Sequence, residues 1–467
     1  MANPEKADGY ELALAQSHLA NHPMARGLGY FETHLACGCR NPNRQPNINL
    51  AELNPCPLAL PLLREQQEIV RRVEGLFTLA DQLEARLAKA RERVNQHTPS
   101  QLHGVVAALV SMLVALTLVA QPTMAASVQR GADSIAYPDG RPAARYRLAA
   151  RDTGPVLRHG SGPGQCDDLG ARDVWVWEHR GSYFMHYDGA GTNGWLVCLA
   201  TSQDLTNWIK KGPVLNLGSS GTEDSASASY GVTFAEGKDW HLFYLGTPHT
   251  SSAPDYVPAF PYLTLKARSS SPAGPWVKQP DVIPFRPRPG TYYSATASPG
   301  QIVPQGGEYL MFFSASTSEP TWRTLSIART GDLDGAWRID PEPIVPATEQ
   351  VENTSLYYEP KNRTWWLFTN HVGLRDGLEY TDAVWVYWTS DLNHWNPAHK
   401  AVVLDSRNCV WSRHILGLPS VVKAGPRLAI FYDGHASEKM PAGVKSHMNR
   451  DVGLAWLDLP LVSPSSE

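Results

Sequence analysis

Cysteine is scarce in this sequence, net charge is small, and long apolar runs are nearly missing. Six cysteines are spread over 467 residues: Cys37, Cys39 and Cys56 in the first part, Cys166, Cys198 and Cys409 in the second. No pair has zinc-site spacing, and Cys37-x-Cys39 is too tight for a zinc knuckle. The three later cysteines allow at most one disulfide and leave one thiol over, and no pairing is assigned. A formal net charge of -4 gives no global attraction to nucleic acid or a membrane surface. P-loop, dinucleotide fingerprint, His-Glu-x-x-His pair and nucleophile elbow are all missing, so the chemistries those motifs carry are not expected.

What is present describes a soluble, globular chain: 42% hydrophobic and 18% charged residues. Its length suggests two or more units. The 15 Trp and 18 Tyr suit a β-rich fold and carbohydrate binding. Residues 1–55 show no period. From Leu63 to about Asn95, apolar residues recur at Ile69, Val73, Leu76, Ala80, Leu83, Leu87, Ala90 and Val94. These alternating steps of four and three predict a coiled-coil-like helix. Val105 to Ala120 is almost wholly apolar and is followed by Gln121-Pro-Thr-Met-Ala-Ala-Ser. That is the core and small-residue cleavage site of a secretory signal peptide, shorter than the about 20 residues of a transmembrane helix. The expected product starts near residue 94–112, is cut near Ala125 or Ala126, and is secreted or periplasmic. A single anchor helix with a cytoplasmic coiled coil stays open as the alternative. Residues 1–100, 101–126, 127–150 (a linker) and 151–462 are the expected divisions.

Within the first of these, Asn47-Ile-Asn-Leu-Ala-Glu-Leu, Leu60-Pro-Leu-Leu-Arg-Glu-Gln-Gln-Glu-Ile-Val-Arg-Arg-Val-Glu and Ala80-Asp-Gln-Leu-Glu-Ala-Arg resemble the tail of a type I restriction–modification specificity subunit. In that family the segment is a helix that spaces two DNA-reading domains. The resemblance covers roughly residues 45–100 and includes no complete recognition domain, so no DNA-binding function is carried over.

The rest of the chain repeats itself. A turn, an aromatic or apolar anchor and an apolar strand recur as Gly181-Ser-Tyr-Phe-Met-His-Tyr, Lys238-Asp-Trp-His-Leu-Phe-Tyr, Gly307-Glu-Tyr-Leu-Met-Phe-Phe, Arg363-Thr-Trp-Trp-Leu-Phe-Thr and Pro426-Arg-Leu-Ala-Ile-Phe-Tyr. The anchors Tyr183, Trp240, Tyr309, Trp365 and Leu428 lie roughly 55–70 residues apart, the length of a four-stranded blade with a long loop. Four copies continue into a polar turn and a Trp: Trp208, Trp276, Trp337 and Trp395. These Trp are read as packing between blades, and the Asp of the turns as turn caps. Each copy is preceded by an apolar strand, at Val174, Gly231, Gln301, Ser355 and Pro419, expected to be innermost. The fold class is therefore all-β: a five-bladed β-propeller preceded by the helical and signal-like segments.

Five such copies, with the recurring Ser-x-Asp-Leu-x-x-Trp turn, resemble glycoside hydrolase family 43 and its relatives over nearly all of residues 150–460. The resemblance implies two carboxyl groups flanking a glycosidic bond. Asp173, before the blade-one inner strand, stands at the family's general base, with Val174 replacing a Pro; Asp167 and Asp168 are rivals or substrate contacts. Glu352, before the blade-four strand, stands at the general acid, with Asn353 and Thr354 departing from Gly-Pro. Where the family has a third carboxylate, this chain has Ser298, and Glu223-Asp224 is an alternative source. Asp168, Asp224, Ser298, His371, His414, Trp175 and Arg413 are the substrate-binding candidates; Arg323, Trp322 and Trp411 are softer ones.

The expected activity is hydrolysis, with inversion, of plant or microbial glycans bearing arabinose, xylose or galactose. No cofactor is required, a structural Ca²⁺ at the propeller centre is left open, no metal ligand is assigned, and a monomer with no nucleic-acid partner is expected. A non-catalytic sugar-binding propeller is the first rival; a restriction-system component is the second. The enzyme reading requires Asp173 and Glu352 to face one central pocket.

Overall fold

The computed structural model describes residues 126–130, 137, 139–375 and 378–464. The coiled-coil-like helix, the restriction-subunit resemblance and the signal-like apolar run lie outside the described residues.

The chain enters through four strands: β1 (Ala126–Ser127), β2 (Gln129–Arg130), β3 (Tyr146–Arg147) and β4 (Arg151–Leu157). Blade one follows as β5 (Gly170–His179), β6 (Ser182–Gly191), β7 (Gly194–Ser202) and β8 (Ile209–Pro213). Blade two is β9 (Ser227–Glu236), β10 (Asp239–Thr247), β11 (Leu263–Ser269) and β12 (Val277–Lys278). Blade three has a split inner strand, β13 (Thr296–Ser298) and β14 (Ile302–Gln305), then β15 (Glu308–Ser316), β16 (Arg323–Thr330) and β17 (Arg338–Ile339). Blade four is β18 (Val351–Glu359), β19 (Thr364–Arg375), β20 (Leu378–Thr389) and β21 (Lys400–Leu404). Blade five is β22 (Ser420–Ala424), β23 (Arg427–Gly434) and β24 (Asp451–Asp458), with β4 as its fourth strand; β25 (Leu461–Val462) pairs with β1. The segment expected as a linker, 127–150, contributes β2 and β3, which extend the blade-four sheet beyond β21.

Each blade is an antiparallel meander, and its tight turns follow from local chemistry. Arg180–Gly181 (φ 52° and 78°) and Gly306–Gly307 (φ 63° and 87°) have two left-handed residues in succession, as a type I′ hairpin requires. The polar turns behave as caps: Asp204 Oδ1 accepts the Thr206 and Asn207 backbone N–H at 2.9 and 2.7 Å, and Asp391 Oδ1 accepts that of Asn393 at 2.9 Å. The Asn207 side chain, which donates Nδ2–H to Asp204 Oδ2 at 2.7 Å, and then these backbone bonds hold the Asp204 carboxyl well below its ordinary range.

The repeated Trp residues pack between blades. Trp208 lies edge-on to Phe431 at 5.6 Å, Trp276 to His186 at 5.7 Å, Trp337 to Phe243 at 5.7 Å and Trp395 to Phe312 at 6.2 Å. Each contact reaches back to the second strand of the preceding blade. Hydrophobic clusters such as that of Val174, Val176, Met185, Phe431 and Leu454 thereby run across blade boundaries. Burying such side chains contributes about 25 cal/mol per Å².

Candidate active site

Three innermost strands break step at one level. The β5–β6 pairing shifts between Arg172 and Trp175, the β9–β10 pairing skips Tyr230, and the β18–β19 pairing shifts between Glu352 and Ser355. Each bulge holds a non-glycine residue in the left-handed region: Asp173 (φ 50°), Tyr230 (φ 38°) and Asn353 (φ 63°). Such conformations cost of order 1–3 kcal/mol, and bulges re-aim side chains out of strand alternation. In blade three Pro299 and Gly300 split the strand instead; Gly300 is required because a Cβ there would overlap the Phe312 carbonyl oxygen. Neighbouring blades hold two of the bulges. The Asp173 N–H donates to Asp433 Oδ2 of blade five at 2.8 Å, and the Asn353 N–H to Ser314 Oγ of blade three at 2.7 Å.

Asp173, Tyr230, Ser298 and Glu352, from four different blades, line one cavity of about 340 Å³. Trp195 and Phe260 add aromatic wall, and Arg172, Arg323, Arg450, Asp188, Glu379 and His447 add polar wall. The two carboxylates singled out by the sequence thus face one pocket. Arg172 Nη2 donates to both Asp173 oxygens at 3.0 and 3.2 Å. Arg323 Nη1 lies 2.5 Å from Glu352 Oε2 and grips Glu379 through Nε and Nη2 at 2.5 and 2.6 Å. Asn370 Nδ2 donates to Glu352 Oε1 at 3.1 Å. Burial pushes the Asp173 carboxyl up to about 6, against the pull of Arg172 and with Asp433 and Glu352 adding to the rise. Arg172 Nη1 also bonds His447 Nδ1 at 2.8 Å. A guanidinium only donates, so Nδ1 accepts and the imidazole proton sits on Nε2. Burial, then Arg172, Arg450 and Arg323, pull this imidazole well below its ordinary value.

The other candidates are placed away from the cavity lining. Asp168 lies half-buried in the loop before β5. Asp224 accepts from Tyr244 Oη at 2.9 Å and Lys278 Nζ at 2.5 Å, within blade two. Trp175 packs against Tyr230, Val232 and Leu418. His371 is buried and stacked 3.9 Å from Trp385, with Nδ1 3.0 Å from Arg141 Nη1 and 3.3 Å from Asp382 Oδ1. His414 Nε2 bonds the Glu438 carbonyl at 2.8 Å, and Arg413 is exposed on the same loop. Sequence reasoning missed Tyr230, Asp188, Arg450 and His447. A signal for Asp188 existed: Tyr187-Asp-Gly and Tyr432-Asp-Gly occupy the same place in two repeats. As for Ca²⁺, no group of three or more His, Cys, Asp or Glu among the described residues is arranged to hold a metal ion.

No family model matches the chain. Among solved structures, the BT0996 RGII complex aligns with a TM-score of 0.50 at 12% identity, over 68% of this protein and 94% of that one. The described domain has the fold of glycoside-hydrolase propellers. The catalytic domain of Coprinopsis cinerea GH62 alpha-L-arabinofuranosidase aligns at a TM-score of 0.48 and 13% identity, over 66% of this protein and 97% of that one. At such identities the likeness is one of fold. A 57-residue stretch is 49% identical to the EcoDI type I restriction enzyme specificity subunit of Escherichia coli, covering 12% of this protein and 13% of that one. The chain therefore spans about an eighth of that curated relative.

Proposed function

We propose that the chain is a glycoside hydrolase in which Asp173 is the general base and Glu352 the general acid. The observation that carries this is the convergence of the two carboxylates, from blades one and four, on one cavity. Glu352 donates a proton to the leaving oxygen, while Asp173 takes one from the attacking water, which inverts the anomeric centre. A carboxyl separation of about 6.5–9.5 Å supports inversion and one near 5 Å retention. Trp195 and Phe260 give a sugar ring an apolar face. The substrate is a plant or microbial glycan carrying arabinose, xylose or galactose, no cofactor is required, and residues 101–126 direct export to the periplasm or outside the cell.

The test uses the full chain with arabinans, xylans, galactans and aryl glycosides, following sugar release. Glu352→Gln and Asp173→Asn are each expected to cut kcat/KM by about 10²–10⁴-fold, the usual worth of a positioned acid or base. Release that survives both substitutions sinks the assignment.

One observation favours a second reading. Both carboxylates are ion-paired to arginines and Ser298 stands in place of a third. A sugar-binding propeller without turnover fits that arrangement, and predicts glycan binding with no sugar released.

A further inference from the structure

The five repeats allow each position to be compared with its counterparts in the other blades. The fifth residue after the anchors Tyr183, Trp240, Tyr309, Trp365 and Leu428 is Asp188, Leu245, Ser314, Asn370 or Asp433. Three of the four polar residues are engaged inside the protein. Asp433 accepts the Asp173 N–H and Arg450 Nη1, each at 2.8 Å. Ser314 accepts the Asn353 N–H. Asn370 accepts from Asn353 Nδ2 at 2.9 Å and donates to Glu352. Asp188 differs: its Oδ1 is buried with no hydrogen-bond partner, the residue is 2% exposed, and it lines the central cavity. Arg172 stands directly opposite it in the β5–β6 register, but that guanidinium turns its terminal nitrogens to Asp173 and His447. A buried polar group without a partner costs about 1–3 kcal/mol, and a folded chain keeps one where something else uses it.

We propose that Asp188 is a ligand-contacting residue of this cavity, its carboxyl hydrogen-bonding a hydroxyl of a neutral bound sugar. The proposal rests on the sugar-site reading above. Burial, then Asp173 and Asp433, push the Asp188 carboxyl well up against the opposing pull of Arg172. A protonated carboxyl, the form this shift favours, offers both a donor and an acceptor, as a sugar hydroxyl does. Neutrality follows from the arginines. Arg172 faces Asp173, Arg323 faces Glu352 and Glu379, and Arg450 faces Asp433. Each guanidinium in the lining already has a carboxylate, so an anionic sugar would meet the acidic groups uncompensated.

The test is calorimetric titration of the full chain with arabinotriose, xylotriose, galactotriose and galacturonotriose, with sugar release followed in parallel. Asp188→Leu carries the blade-two residue at this position; Asp188→Asn keeps the shape and guards against a folding defect in the first variant. The parent is expected to bind a neutral trisaccharide more tightly than galacturonotriose. Asp188→Leu is expected to weaken that binding ten-fold or more, and Asp188→Asn by less, with melting temperatures held or raised. Unchanged binding by both variants overturns the role of Asp188 and leaves the hydrolase reading standing. Weakened binding with no release from the parent keeps the role and removes the hydrolase. Preference for galacturonotriose overturns the neutral class, and a parent that binds and cleaves none of the sugars removes both proposals together.

Discussion

Burial and charge oppose each other at Asp173, and burial wins. Its carboxyl moves from an ordinary 3.8 to about 6 although Arg172 lies 3.0 Å away. Arg172, Asp433, Arg450 and Glu352 are the charged groups that act on it. A base must be unprotonated to act, so kcat/KM is expected to fall below an acid limb with its midpoint near pH 6. A pH–rate profile lacking that limb, or keeping it in Asp173→Asn, would count against Asp173 as the base. Stability has the opposite sign. A carboxyl raised on folding binds more protons in the native state, so stability is full below about 3.8 and is lost as pH rises through about 6. Asp188 is also raised, by burial first and then by Asp173 and Asp433, and Asp188→Asn is therefore expected to melt higher than the parent at pH 8, with the gap closing at pH 4. Equal melting at both pH values would show that Asp188 is not held protonated. At this scale the sequence was partly legible. Asp173, Glu352 and Ser298 could be found because they stand just before the apolar runs of the inner strands, although the structure includes them within β5, β18 and β13. Tyr230, Arg450 and His447 could not, since no local pattern tells a bulged or loop side chain that faces the axis from one that faces solvent.

The inner strands are elements built to be interrupted. Regular alternation would turn successive side chains towards the two neighbouring blades; the bulges at Asp173, Tyr230 and Asn353 and the split at Pro299–Gly300 break that alternation beside the cavity. Other strands pack against these interruptions: Asp433 of blade five holds the Asp173 N–H and Ser314 of blade three the Asn353 N–H. Gly300 lies against the Phe312 carbonyl and Thr354 Oγ1, with backbone on one side and no room for a methyl. Gly300→Ala is expected to cost more than the 1–3 kcal/mol typical of overpacking, read as a lower denaturant midpoint or loss of soluble protein. Ser314→Ala leaves the buried Asn353 N–H without its acceptor and is expected to cost about 1–3 kcal/mol; a midpoint equal to the parent's would show that the bond does not hold the bulge. Strand existence was legible from anchor periodicity: β6, β10, β15, β19 and β23 begin at or just before the five anchors. The short outer strands were not, because β12 and β17 are two-residue pairings set by the blade they lean on.

At the scale of the whole molecule, the ring must close on itself, and here the last blade borrows from the first strands of the domain. β4 pairs with β24 through Leu157–Val452, Pro155–Gly453, Asp152–Ala455 and Arg151–Trp456. Side chains reinforce the seam. Thr153 Oγ1 donates to the Leu454 carbonyl at 2.7 Å, and Asp152 accepts from Tyr432 Oη at 2.6 Å and the Val410 N–H at 2.7 Å. Blade five then bears on the cavity through Asp433, whose carboxylate holds the Asp173 backbone and Arg450. Closure and site geometry are thus linked through one sheet. Removing residues up to Leu157 should expose the β24 edge, a template for pairing with other chains, and should free β23 to shift. Such a protein is expected to elute as oligomer or aggregate in gel filtration, and to lose sugar binding along with its cooperative melt. Asp152→Ala is the milder form: the buried Tyr432 hydroxyl and Gly154 N–H lose their acceptor, at about 1–3 kcal/mol each, without removal of backbone. If the truncated chain stayed monomeric and melted like the parent, blade five would be stable on three strands, and the borrowed strand would not be what fixes Asp433 beside Asp173.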